Sequence, residues 1–163
     1  MTRIGLLSDT HGYLDEKVFD HFKNCDEVWH AGDFGEDVIE KIRSFKPLKG
    51  VYGNIDDQKI RHEFPEILEF NCEEVKVMIK HIGGYPPKYN PITKKEISHH
   101  KPQLFISGHS HILKVMYDEK LQCLHMNPGA AGKQGWHKIR TIIRFSIDGK
   151  NIDQCEVIEL GPR

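Results

Sequence analysis

Nowhere does the chain run to the roughly eighteen consecutive apolar residues that a membrane-spanning helix needs. The opening MTRIGLLSDTHG has one basic residue, and its short apolar run meets Ser8 and Asp9 too early for a secretory leader. A cytoplasmic protein with no membrane partner is expected. Net charge is also scarce: 23 basic and 24 acidic residues leave −1. Such a balance offers no basic footprint for nucleic acid or for an anionic membrane surface. Nucleic acid is therefore not expected as a specific partner, and any anionic ligand must be attracted locally. Cysteine is sparse, and Cys25, Cys72, Cys123 and Cys155 include no C-x-x-C pair. Their scatter argues against a thiolate zinc site and against a disulfide framework, leaving reduced structural thiols. Low-complexity tracts, repeats and linkers are missing too, and 38% apolar with 29% charged residues is ordinary globular composition. A length of 163 residues suits one domain over 1–163, because two would each have a thin core.

Histidine, at 11, is what the chain has in excess. Its value depends on where it falls among the elements. Residues 3–7 form an apolar run that stops at Ser8-Asp9-Thr10-His11-Gly12, as a buried strand ending in a polar loop does. Helical spacing follows at Leu14, Val18, Phe19 and Phe22, and again at Val38, Ile39, Ile42 and Phe45. Between and after them, 27–30 and 48–52 read as strands that deliver Gly32-Asp33 and Gly53-Asn54. This alternation predicts a parallel sheet with its polar site beyond the strand carboxyl ends.

The second half reads mostly as strands, at 67–70, 75–79, 104–107, 113–117, 122–126, 141–147 and 153–160, with one short helix at 93–100. Turn signals at 118–120 and 148–150 join neighbours as hairpins. The expectation is an α/β fold in which a mixed or antiparallel second sheet packs on the first, a two-sheet β-sandwich with helices outside.

Singly, the polar motifs are ambiguous. Asp9-x-His11 can steer two side chains to one metal, but it also describes a capped turn. Gly32-Asp33 can equally cap a helix, Gly53-Asn54 can be a plain turn, and His81 can be a satisfied strand-end histidine. Gly108-His109-Ser110-His111 says more, since two imidazoles at i and i+2 after a strand can face different metals. His30, before Asp33, could orient that carboxylate or simply be buried; His99, His100, His125 and His137 carry no spacing signal. Jointly, Asp9, His11, Asp33, Asn54, His81, His109 and His111 all follow strands. If Asp33 is shared, each of two metals receives four protein ligands and keeps positions for water and substrate.

These motifs resemble, in order, the D-x-H, G-D, G-N, H and G-H-x-H of the calcineurin-like metallophosphoesterase superfamily. The resemblance spans about residues 2–147. The opening S-D-T-H-G, the G-N-x-D at 53–56 and Asn127-Pro128-Gly129 are similar to its small bacterial and archaeal phosphodiesterase branch, which also includes the eukaryotic retromer scaffold subunit.

The resemblance implies the four-layer αββα fold, with Asp9, His11 and His111 on one ion, Asn54, His81 and His109 on the other, and Asp33 between them. It further implies hydrolysis of a small phosphate ester, a diester before a monoester, by a metal-bridging hydroxide. Asp33, Asn54 and His109 would stand closest to the reaction. Mixed nitrogen and oxygen ligands suit manganese first, then nickel, iron, cobalt or zinc. Two positions depart from the pattern: Ile55 stands where many relatives carry a proton-donating histidine, and His81-Ile82-Gly83-Gly84 replaces the usual His-Gly-His or His-Gly-Asp. No general acid is therefore identified. The alternatives are a binding scaffold on the same fold and a phosphomonoesterase; homo-oligomers are compatible with either.

Overall fold

Ile4, Leu6 and Leu7 have no exposed surface, as a strand covered on both faces requires. In the computed structural model, which describes residues 1–163, that run is β1 (Thr2–Leu7). α1 (Lys17–Phe22), β2 (Glu27–His30), α2 (Val38–Arg43) and β3 (Leu48–Gly50) follow. β1, β2 and β3 are parallel neighbours, so the loops after all three open at one end. Both helices are shorter than their apolar spacing suggests. The Asp15 carboxylate accepts the Lys17 N–H at 2.9 Å and sets the start of α1, while Asp37, at φ 64°, delays α2.

α3 (Gln58–Glu63) was not foreseen, because it buries no residue and so writes no apolar stripe into the sequence. Beyond it come β4 (Ile67–Cys72), β5 (Val75–Lys80), a two-strand hairpin of β6 (Gly84–Tyr85) and β7 (Lys88–Tyr89), then α4 (Pro91–His100) and β8 (Leu104–Ile106). β9 (Lys114–Asp118), β10 (Cys123–Asn127), β11 (Ile139–Asp148) and β12 (Asn151–Pro162) complete the chain. The second sheet has the order β4-β5-β8-β10-β9.

One correction concerns the last hairpin. β11 and β12 belong to the first sheet, whose order is β12-β11-β1-β2-β3, with β11 antiparallel to β1. The reason lies in which faces are apolar. Ile143, Phe145 and Ile147 of β11 fill the space between the sheets, while Ile142 faces the helices. A strand apolar on both sides is stable in the interior of a sheet covered on both faces, and β11 lies between β1 and β12.

Three apolar layers hold the stack. Ile4, Leu6, Trp29, Val77, Ile79, Leu104, Ile106 and Met126 pack between the sheets. Val18, Phe22, Val38, Ile39 and Ile42 seat α1 and α2 on the outer face of the first sheet. Ile97 of α4 packs with Met78 and Phe105 on the far side of the second sheet. The result is the four-layer α/β sandwich.

Candidate metal centre

The parallel strands determine the site. β1, β2 and β3 release Asp9, Asp33 and Asn54 at one end of the first sheet; β5 and β8 release His81, His109 and His111 at the matching end of the second. All seven residues singled out in the sequence are brought together there. Asp9, His11 and His111 form one group and Asp33, His81 and His109 another, the ligand atoms of each lying within 4.8 Å of one another. Asn54 Oδ1 stands 3.0 Å from both His81 Nε2 and His109 Nδ1. The two groups meet at Asp33, whose Oδ2 is 3.1 Å from His81 Nε2 and 3.5 Å from His11 Nε2.

Backbone and neighbours hold these side chains in place. Asp9 (φ 53°), His11 (φ 46°), Asp33 (φ 59°), His109 (φ 68°) and His111 (φ 61°) all adopt the left-handed conformation. For residues with a Cβ that conformation costs on the order of 1 kcal/mol each and collects at functional loops. Glycine gives the remaining clearance: a Cβ at Gly32 would come within 2.5 Å of His81 Nδ1, and one at Gly53 would collide with the Asp33 carboxylate.

Hydrogen bonds then occupy the atoms that point away from the centre. Asp9 Oδ2 accepts from the Ser8 hydroxyl (2.6 Å) and the His109 N–H (3.1 Å), and Asp33 Oδ1 accepts from the Ile55 N–H (3.0 Å). The Ala31 carbonyl, 2.7 Å from His81 Nδ1, fixes the proton there and leaves Nε2 with a free lone pair.

Inside the centre, Asp9 Oδ1 and His11 Nε2 are buried with no hydrogen-bond partner. A buried carboxylate oxygen without a donor is costly unless a cation fills the place. Burial alone would raise the Asp9 carboxyl, but the His11 and His111 imidazoles beside it and the Ser8 hydroxyl hold it far below the usual carboxylate range. Asp33 is likewise lowered: burial opposes ionisation, and the His81 imidazole overcomes it. Two ionised carboxylates, four imidazoles and an amide suit divalent ions of borderline softness, so the residues present fit such a group. Asn54 and His109 are solvent-exposed, which leaves one wall open.

Two side chains do more than the sequence suggested. Asp56 is 4% exposed, and its carboxylate accepts the N–H groups of Asp33 (3.0 Å), Phe34 (3.3 Å), Gly35 (3.3 Å) and Gly53 (2.8 Å). It thereby ties the Asp33 and Asn54 loops into one unit; its only sequence signal was the spacing Gly-Asn-x-Asp. His137 donates through Nε2 to the Gly132 carbonyl (2.7 Å) and lies with its ring 5.3 Å from that of His111. His30 does not reach the Asp33 carboxylate. It accepts the Gly32 N–H (3.1 Å) and meets the Thr10 hydroxyl (3.0 Å), a structural role, and full burial pushes its imidazole down to about 3.

Residues 2–150 match the calcineurin-like phosphoesterase superfamily domain. A Methanothermobacter thermautotrophicus protein named "Probable metallophosphoesterase" is 28% identical over 169 residues, covering 97% of this chain and 92% of its own length. A Methanocaldococcus jannaschii protein of the same description is 27% identical over 154 residues, or 90% of this chain and 77% of that one. Among solved structures, one described as a novel archaeal phosphodiesterase superposes with a TM-score of 0.76 at 24% identity, over 97% of this chain and 99% of the other. Vps29 of Entamoeba histolytica, solved in complex with zinc, gives 0.74 at 14%, over 96% and 98%. At those identities the structures speak for the fold, while the family match and the two ligand groups together imply use of divalent metal. The chain belongs to the calcineurin-like phosphoesterase superfamily.

Proposed function

We propose that this protein hydrolyses phosphodiesters at a dinuclear centre, with Asp9, His11 and His111 holding one divalent ion, Asn54, His81 and His109 the other, and Asp33 shared. The observation that carries the reading is the position of Asp33 Oδ2, facing His11 Nε2 of one group and His81 Nε2 of the other. When bound, such ions supply a water that ionises near neutral pH and positive charge for the phosphoryl oxygens. The chain's part is positioning. Ser8 and the His109 N–H turn Asp9 so that Oδ1 points inward, Ile55 N–H does the same for Asp33, and the Ala31 carbonyl orients His81. Asn54 and His109 stand at the open wall, where an incoming ester meets the centre. Ile55, 45% exposed, has no proton to offer a departing alkoxide, which favours esters whose leaving group departs as an anion. The phosphodiesterase description of the archaeal structural neighbour supports the diester over the monoester, and manganese heads the candidate metals on ligand chemistry.

The test is to load the protein with manganese, nickel, cobalt or zinc and to assay a chromogenic phosphodiester beside its monoester, with an Asp33→Asn variant in parallel. Diester turnover that exceeds monoester turnover and vanishes in the variant is expected. Inertness toward both under every metal defeats the reading, and an active variant removes Asp33 from its shared position. Likeness to Vps29 gives the scaffold alternative its weight; that outcome corresponds to an inert protein that still binds metal.

A further inference from the structure

Four buried side-chain atoms lack a hydrogen-bond partner: Asp9 Oδ1 and His11 Nε2 belong to the candidate ligands, His137 Nδ1 lies on a ring beside His111, and His125 Nε2 stands apart from them. Its residue has no exposed surface, and Nδ1 is 3.2 Å from the Phe105 carbonyl. Burial pushes the imidazole down to about 4, so the ring is neutral at ordinary pH. With the proton on Nδ1 donated to that carbonyl, Nε2 carries a lone pair and can only accept.

His125 lines a cavity of about 240 Å³ whose other walls include Ile82, Tyr85, His109, Ser110, Ile112 and Lys114. One side chain thus belongs to both the cavity and the candidate metal centre. The Lys114 ammonium stacks 3.7 Å from the centre of the Tyr85 ring, which partly engages the cavity's one cation. A second phosphate would set anionic oxygens against the His125 lone pair. A neutral group with a donor would complete it. The volume is below the 300–1,000 Å³ typical of a whole small-molecule site, and so suits one ring of a larger ligand.

We infer that this cavity is a subsite for the organic group of the phosphate ester, selecting an aromatic ring that carries an N–H donor, with His125 Nε2 as the acceptor that reads it. The inference rests on the phosphoesterase reading above. His125 is a specificity residue in this scheme and takes no part in bond breaking. An acceptor left unpaired in a buried site is costly, so an ester that satisfies it should be preferred by roughly tenfold or more over a matched ester that cannot.

The probes are methyl 4-aminophenyl phosphate and methyl 4-methylphenyl phosphate, whose leaving phenols are of similar size and basicity. The metal-loaded native protein should show a kcat/KM at least about tenfold higher for the amino ester. His125→Phe should bring the ratio near one, and His125→Gln, which restores an acceptor, should recover part of the preference. Equal rates in the native protein, or a preference that survives His125→Phe, overturn the subsite while leaving the phosphoesterase reading intact. If neither ester is cleaved, that reading fails, and the subsite is decided by the nitrogen resonances of His125 in zinc-loaded protein. Displacement of the Nε2 signal by the amino ester and not by the methyl ester upholds it; no displacement overturns it.

Discussion

At the scale of single residues, the centre is held by atoms that never face it. Asp56 accepts four backbone N–H groups and touches none of the seven candidate ligand side chains in its own right. Replacing it with alanine leaves those buried donors unpaired and lets the Asp33 and Asn54 loops drift apart. We expect Asp56→Ala to weaken metal binding by about 10- to 100-fold, the range for groups that orient ligands, as measured by competition with a chelator. A second prediction uses the left-handed backbone at His109. Because glycine adopts φ 68° freely, metal-free His109→Gly should be more stable than metal-free His109→Ala by about 1 kcal/mol in denaturant unfolding, although both lose the imidazole. The candidate ligands were legible in the sequence because each carries chemistry and each follows an apolar run. Asp56 was legible only as the last member of Gly-Asn-x-Asp, and that spacing does not tell how many backbone donors will converge on it.

At the scale of elements, legibility followed burial. β1 and the core of β11 announce themselves as apolar runs, and α1 and α2 by their buried stripes. α3 has no fully buried residue, only Ile60 resting partly buried on the core, and depends on local bonds: Asp57 accepts the Ile60 N–H at 3.0 Å, and Arg61 reaches back to the carbonyls of Asp56 (2.8 Å) and Asn54 (3.2 Å). The sheet membership of β11 and β12 was not legible either, because a hairpin's turn fixes its partner strand but not the sheet it joins. α3 therefore acts as a strut under the Asn54 loop. Asp57→Ala should cost about 1 kcal/mol of stability by loss of the cap, seen in the denaturant midpoint. Arg61→Ala should raise KM or the metal requirement while changing stability little, since its contacts are with the Asn54 loop.

At the scale of the whole molecule, acid is the natural stress. His30 and His125 are held neutral, at about 3 and about 4 against an ordinary 6.5. Above 6.5 neither the folded nor the unfolded chain binds these protons. As pH falls from 6.5 toward 4, the unfolded chain takes them up and the folded one does not, so stability drops with pH, by up to about 1.4 kcal/mol per unit for each histidine. Denaturant midpoints at pH 7 and pH 5 should show the loss, and His125→Phe should make the slope shallower.

The seven residues also come from both halves of the sandwich: Asp9, His11, Asp33 and Asn54 from loops of one sheet, His81, His109 and His111 from loops of the other. On the proposed reading, an ion pair seated between them works as a rivet through two plates. Removing it frees one rim of the molecule while the apolar layer between the plates keeps them joined below. Chelation should then open the rim loops to proteolytic nicking and faster amide exchange, with little change in the strands beneath.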